Sequence, residues 1–542
     1  MSNSHSPFHG WRARTHHLTR SRHFLLRTSA VIITLGLALA TLIVAGHTRQ
    51  GPGTGAHAPQ SEAEIRIHKD YHALRHATEA RPRQLALLLR RMLSLISPTL
   101  EEEDHAARAL ASFHASGILA GHDVAALLRQ HTTPEAPASL FEDFLAATLT
   151  SDASALGRIQ ASAQATPPPM LAAELHGSVQ KRRGDEAAAA YSFFAEGLHF
   201  PDAENSRQEA VRLALVQRDF GLLRSIAAQP GWIEGCPLQL QHHAGAMLND
   251  VWLQWRSLVV LHLHDVPYGA LALALFAAGL WYFILVAHSD HGQWRWLRPM
   301  PPLMAGVLSV WPTLTLVAWQ DFTEGMTPDA PFPHDLIYYV LGVGLREEVC
   351  KLALFTLFLP WLLWRRQPGL ALLTGAFVGL GFALEENINY YREGGGVAWA
   401  RFVSANFLHI AMTGICAHSL YEMLRTRFAR ADEFIASFAA IVTAHGVYDW
   451  LLGQGDNAWF ATVVLVVTVS RFIDLLGRET RPFRLTISPR AVFTLGSAVL
   501  IAVAFVTGAW TTHSMKGVAD AGLECIGMVP IAALYWRKFE HA

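Results

Sequence analysis

The stretch LGVGLREEVCKLALFTLFLPWLLW, Leu341–Trp364, decides the fold, because it is long and apolar enough to cross a bilayer and yet contains four charged residues. A charged side chain in hydrocarbon is costly and needs either a partner or a function. On a helix, Lys351 lies one turn from both Glu347 and Glu348, at i+4 and i+3. This spacing predicts either a structural ion pair or a neutralised pair that leaves one carboxylate available as a base.

Three more polar motifs follow within the next apolar stretches. They are FALEEN (Phe382–Asn387), HIAMTG (His409–Gly414) and HGVYD (His445–Asp449). At 1.5 Å per residue, counted from the outer end of each predicted span, Glu348 lies at about 18 Å and the key groups of the other motifs at about 5–10 Å. Unrelated structural charges would have no reason to agree in depth. The pattern therefore predicts one shared site in the outer half and middle of the membrane.

Composition favours a membrane protein and excludes some other classes. The chain has 542 residues, of which 51% are hydrophobic, and a formal net charge of −1. This charge gives no reason to expect nucleic acid as a partner. None of the four cysteines shows C-x-x-C spacing, which is typical of structural zinc sites. Lys351 is the only lysine inside a predicted span.

Hydropathy predicts an all-α fold: a polytopic transmembrane helix bundle of about ten spans with an N-terminal helical soluble domain. The domain boundaries that we predict are a basic cytoplasmic tail at 1–28, a membrane anchor at 29–46, an extracytoplasmic helical domain at 48–255, and a polytopic membrane domain at 266–537 with its motif core at 336–452. Within the membrane domain, the predicted spans are 266–287, 303–319, 336–363, 370–391, 402–424, 435–452, 458–475, 490–510 and 523–536.

Arginines in alternate loops predict the topology. They fall after the first membrane-domain span (Arg295, Arg298), after the third (Arg365, Arg366), and again around 425–430 and 478–490. By the positive-inside rule these loops are cytoplasmic. Both termini are then cytoplasmic, and the 48–255 domain lies on the opposite side.

The 48–255 segment contains Ala- and Leu-rich stretches with a period near 3.6, which indicates helices. Around Gly184-Asp185 the pattern is typical of a tetratricopeptide helix–turn–helix, with Ala190, Tyr191 and Phe194 as packing residues. One such unit also fits a generic helical domain, because repeat arrays need about three units for stability.

The ordered set EExxK, FxxxEN, HxxxxG and HxxxD resembles the PrsW family of intramembrane proteases, which is similar in motif logic to the CAAX-protease group. The resemblance covers roughly residues 303–455. The positions that match the motifs of the family, and that we predict to form the site, are Glu347, Glu348, Lys351, Glu386, His409, His445 and Asp449, with Phe382 and Asn387 in support. The resemblance implies an integral, multi-pass protein of a bacterial inner membrane. The family's role in cleaving a membrane-anchored anti-sigma factor is one function that it suggests.

The predicted function is therefore that of an intramembrane endopeptidase acting on membrane-anchored protein substrates in the lipid bilayer, with regulated proteolysis as one setting. Glu348, with Glu347 as the second choice, would activate the water as a general base. A metal-dependent version would use Zn²⁺ held by His409, His445 and Glu386, so the cofactor is either none or zinc. A transporter or proton relay, and a catalytically inactive receptor, remain alternatives from other classes.

Overall fold

The computed structural model describes residues 14–49, 69, 85–86, 88–90, 92–93, 118–119, 122–123, 137–264, 267–289, 295–321, 326–393, 397–455, 458–480 and 485–539. The chain divides into two compact units. The membrane unit comprises residues 1–54 and 264–542, and the helical unit comprises residues 55–263.

The described elements are almost all helices. Up to the end of the helical unit they are α1 (Arg22–Arg49), β1 (Ile118–Leu119), β2 (His122–Asp123), α2 (Pro137–Leu149), α3 (Ala153–Ala163), α4 (Ala172–Arg182), α5 (Glu186–His199), α6 (Glu204–Val216), α7 (Phe220–Ala227), α8 (Leu238–Leu248) and α9 (Val251–His264). The remainder are α10 (Tyr268–Val286), α11 (Met300–Trp319), α12 (His334–Ile337), α13 (Leu345–Phe355), α14 (Leu359–Arg365), α15 (Pro368–Glu393), α16 (Ala398–Val403), α17 (Ala405–Arg425), α18 (Ala431–Leu452), α19 (Phe460–Glu479), α20 (Pro489–Thr512) and α21 (Met515–Lys538).

Eight helices within the described residues are long and apolar enough to cross a bilayer, so the polytopic helical fold is confirmed. They are α1, α10, α11, α15, α18, α19, α20 and α21. The predicted spans at 336–363 and 402–424 are not among them. The first is interrupted, since a π-helical segment (Tyr338–Gly344) precedes α13 and a 3₁₀ turn (Thr356–Phe358) follows it. The second, α17, is a continuous helix that carries polar side chains into the protein interior.

Helix α15 is the centre of the membrane unit and packs against α10, α11 and α17. Two glycines allow this close packing. A Cβ added at Gly379 would overlap the carbonyl group of His409 on α17, and one at Gly381 would overlap that of Leu303 on α11. Small residues at such crossings are the usual way in which membrane helices approach one another. The interface with α17 brings two predicted motifs side by side.

The helical unit is built from antiparallel helix neighbours, such as α4 with α5 and α5 with α6. Gly184 adopts a φ of +80° in the turn between α4 and α5, and the side chain of Asp185 caps α5 by accepting from the amide of Ala188. Of the predicted packing residues, Ala190 is buried, Phe194 lies edge-on to Trp232, and Tyr191 is exposed. A tetratricopeptide assignment stays a prediction.

The predicted helical character of this unit has one exception among the described residues. β1 and β2 form an antiparallel pair in which Ile118 lies opposite Asp123. Each of the two strands is only two residues long, so periodicity could not have revealed the pair. Residues 50–68 of the predicted 48–255 domain lie outside the described residues.

Candidate active site

Four helices of the membrane unit contribute the predicted site residues. Helix α13 carries Glu347, Glu348 and Lys351, directly after the π-helical segment. Helix α15 carries Phe382, Glu386 and Asn387, α17 carries His409, and α18 carries His445 and Asp449. The segment before α13 contacts α18 because glycines face each other's backbones: a Cβ at Gly344 would overlap Val442, and one at Gly446 would overlap Tyr339.

Lys351 is the hub of the site and is fully buried. Its Nζ donates to Glu347 Oε2 at 3.1 Å and to Glu348 Oε1 at 2.9 Å. The same Nζ lies 3.0 Å from His409 Nδ1 and 3.9 Å from the centre of the Phe382 ring. One ammonium thus joins three of the four motifs, and its charge is balanced by two carboxylates and an aromatic face.

The two adjacent glutamates have different surroundings. Glu348 is fully buried, and its Oε1 accepts from both Lys351 and His445 while its Oε2 accepts from the Thr413 hydroxyl at 3.4 Å. Glu347 instead lines a cavity, and its Oε2 lies 3.5 Å from His445 Nε2. Glu348 therefore anchors its neighbours, and Glu347 is the carboxylate that faces open space.

The histidines are oriented by these partners. His445 Nδ1 lies 3.0 Å from Glu348 Oε1, and an ionised carboxylate only accepts, so this nitrogen carries a proton. Nε2 of His445 faces the carboxylates of Glu347 and Asp449, each 3.5 Å away, and a protonated ring can donate to them. His409 accepts from the Lys351 ammonium at Nδ1 and donates from Nε2 to Glu386 Oε2 at 3.1 Å. These tautomers follow from the hydrogen-bond network.

Sequence reasoning missed Arg401 on α16. Its Nη2 donates to Glu386 Oε2 at 2.7 Å, and its Nε donates to Asn387 Oδ1 at 2.5 Å. Asn387 in turn donates to Asn406 Oδ1 at 2.5 Å, and the guanidinium of Arg401 stacks 3.6 Å from the centre of the Tyr390 ring. A signal was available: this arginine precedes a span on the side where the positive-inside rule predicts few cations.

A cavity of about 620 Å³ lies inside the membrane unit and collects these groups. Its polar lining comprises Glu347, Glu386, Arg401, His409, His445 and Asp449, together with Tyr390 and Tyr448. It extends towards Pro328, which precedes α12, towards Gly453 at the end of α18, and towards Glu524 within α21. All seven predicted site residues are joined by hydrogen bonds or ion pairs. Two of the seven, Glu348 and Lys351, do not line the cavity, and neither do the supporting residues Phe382 and Asn387.

One group of side chains could hold a metal ion. One ligand atom each from Glu347, His409 and His445 lies within 4.8 Å of the others, and all three residues are buried. Two imidazoles and a carboxylate are a donor set that Zn²⁺ accepts in catalytic sites. The carboxylate of Glu348 on the far nitrogen of His445 is the usual support for such a ligand. The donor types therefore fit zinc, and binding would require Lys351 to give up its contacts with Glu347 and His409. Glu347 takes the place where we expected Glu386, because Glu386 pairs with Arg401.

Residues 293–474 match the sequence model of the family described as PrsW family intramembrane metalloprotease. The match includes all four motifs and confirms the PrsW resemblance drawn from them. No curated protein and no solved structure matches the chain. The family supports an intramembrane peptidase and not the transporter alternative. Residues 1–292, which include the helical unit, lie outside the match.

Proposed function

We propose that this member of the PrsW family is an intramembrane endopeptidase whose reaction centre is formed by Glu347, His409 and His445. The observation that carries the proposal is the convergence of these three side chains on one cavity inside a bundle of membrane helices. A water molecule and a peptide bond both need polar partners at this depth, and among the described residues the cavity brings carboxylate, imidazole and guanidinium groups to one place.

In the proposed reaction, a carboxylate takes a proton from water as the water oxygen bonds to the scissile carbonyl carbon. The carbonyl oxygen becomes an oxyanion, which needs hydrogen-bond donors. Arg401, which lines the cavity and already donates from Nη2 to Glu386, is the donor that we propose for this oxyanion. The carbon–nitrogen bond then breaks, and the amine leaves with the proton held by the carboxylate.

The structure supports Glu347 as the general base, whereas we predicted Glu348. Glu348 was the first choice for the base, but both of its oxygens accept hydrogen bonds and it does not line the cavity. Glu347 faces the cavity and is the better candidate. Glu386 and Asp449 are further cavity carboxylates next to the histidines, and either could accept the proton if Glu347 is engaged by a metal.

If zinc is resident, Glu347, His409 and His445 would hold it. It would polarise the scissile carbonyl and lower the pKa of bound water. Lys351 affects whether zinc can bind, because its ammonium already donates to Glu347 and contacts His409, two of the three residues that would hold the metal. Metal content of the purified full chain, measured by mass spectrometry of the elements, separates the two versions: about one zinc per chain, lost in His445→Gln, favours the zinc version.

The substrate class that we propose is a membrane-anchored protein, with regulated proteolysis as the setting. The test compares new protein N-termini in membranes of cells that express the parental chain or His445→Gln. We expect cleavage sites inside or beside predicted transmembrane segments, present with the parental chain and with the control variant Glu422→Gln but absent with His445→Gln. Glu422→Gln is the matched control, since Glu422 is a buried span carboxylate that pairs with Arg425 and does not line the cavity. Identical N-termini in all three samples would contradict the proposal.

We also propose that both termini are cytoplasmic, that the membrane is a bacterial inner membrane, and that the helical unit lies outside and presents or excludes substrates. The support is the alternation of arginine-rich loops. A reporter fused between Gln320 and Asp335 should be extracytoplasmic, and one fused after Arg430 should be cytoplasmic. Finding both reporters on the same side of the membrane would refute this topology. The peptidase assignment is tested separately, by the comparison of new protein N-termini.

A further inference from the structure

A second cavity, of about 390 Å³, lies in the membrane unit where the C-terminal ends of α10 and α14 meet the N-terminal ends of α11 and α15. It shares no lining residue with the reaction cavity. Three arginines contribute to its wall: Arg295 and Arg298, just before α11, and Arg365, the last residue of α14. Among the described residues that line it, which do not include 290–294, none is an aspartate or a glutamate.

The rest of the wall is apolar. Leu373 and Phe377, on the first half of α15, are buried and line one side of the cavity, and Trp361 on α14 contributes a ring that is 41% exposed. The cavity thus has a cationic part, formed by residues in the turns between helices, beside an apolar part, formed by residues within spans. A half-exposed tryptophan beside cations is typical of the level of lipid headgroups.

We propose that this cavity binds one anionic phospholipid, with its phosphate among Arg295, Arg298 and Arg365 and the start of an acyl chain along Leu373 and Phe377. Guanidinium groups match phosphate oxygens in geometry as well as charge. Basic cavities between membrane helices on the cytoplasmic side are suited to anionic headgroups. A soluble phosphate would use the arginines but would leave the apolar wall exposed to water, so we commit to the lipid as the occupant.

The size of the effect follows from the three charges. Each arginine near an anionic membrane surface contributes roughly a five-fold gain in affinity. Loss of all three cationic groups should therefore lower the preference for an anionic lipid by about two orders of magnitude. Because these arginines also bias topology, a variant with three lysines keeps the charge and the topology but loses the bidentate geometry.

The test measures lipid binding to the detergent-purified full chain by native mass spectrometry. The probes are dioleoyl phosphatidylglycerol, dioleoyl phosphatidylcholine and glycerol 3-phosphate. We expect the parental chain to bind phosphatidylglycerol roughly 100-fold more tightly than phosphatidylcholine, and glycerol 3-phosphate negligibly. The Arg295→Gln/Arg298→Gln/Arg365→Gln variant should bind the two lipids within two-fold of each other, and the triple lysine variant should fall between.

Arg537→Gln is the matched control, because Arg537 is an exposed arginine in the last turn of α21 and does not line the cavity. It should keep the parental preference. Equal binding of both lipids by the parental chain, or an unchanged preference in the triple glutamine variant, would overturn the proposal. Glycerol 3-phosphate that competes as well as the lipid would show a soluble anion site and would overturn the assignment to a lipid.

Discussion

Replacing Lys351 by methionine should destabilise the membrane unit more than any other single substitution in the site. Methionine is similar in length but cannot donate, so Glu347 and Glu348 lose hydrogen bonds of 3.1 and 2.9 Å and their only shared counter-charge. Lys351 and Glu348 are both fully buried, so water cannot replace the lost partner without opening the bundle. Removal of one member of a buried charge cluster costs about 3–5 kcal/mol.

The assay is unfolding of the purified full chain in mixed micelles by increasing dodecyl sulfate, followed by circular dichroism. Lys516→Met is the matched control, since Lys516 is exposed at the start of α21 and should be replaceable with little effect. The double variant Lys351→Met/Glu348→Gln should regain part of the loss, with a coupling free energy above about 1 kcal/mol. A Lys351→Met protein as stable as the control, or additive effects in the double variant, would refute the hub role.

Three further predictions concern other parts of the chain. Arg401→Lys should lower peptidase activity by about 10-fold or more, because one ammonium cannot hold both Glu386 and Asn387 and also donate to the oxyanion, and a parental rate would exclude the proposed role of Arg401 as oxyanion donor. Gly379→Ala should lower unfolding stability by about 1–3 kcal/mol, whereas Gly279→Ala, which points into open space, should not, and equal stabilities would contradict the tight contact with α17. Burial raises the pKa of Glu174 to about 7, so the folded helical unit keeps a proton that the unfolded chain loses from about pH 4.5, and its stability should fall as the pH rises through this window. Amide hydrogen exchange of residues 172–182, corrected for the intrinsic exchange rate, measures this loss of stability. The Glu174→Gln variant should show little dependence of stability on pH. Corrected exchange of the parental chain that does not change with pH would refute the prediction.

Much of the fold could be predicted from the sequence because hydrophobic length is a direct physical requirement of a bilayer. Helices α10, α11, α15, α19 and α20 overlap their predicted spans closely. The difficult spans were those at 336–363 and 402–424. The polar residues in these two spans contact other protein groups and not lipid, so hydropathy is a poor guide to these spans.

For the site, charge inside predicted spans was the informative signal. It identified the residues of all four motifs, and the structure brings them together. It could not rank Glu347 against Glu348, because neighbouring residues on a helix differ by about 100° in direction and only the packing shows which one faces the cavity. It also could not identify Arg401 as a partner of Glu386, since that pair depends on the short helix α16 between two spans.

The most direct test of the reaction centre is the cleavage rate of a membrane-anchored substrate by the purified full chain in liposomes, with Glu347→Gln and Glu422→Gln side by side. The account predicts a fall of at least ~10²-fold for Glu347→Gln, the usual scale for the loss of a catalytic carboxylate, and a parental rate for Glu422→Gln. A parental rate for Glu347→Gln together with an inactive Glu348→Gln would contradict the assignment and restore Glu348 as the base.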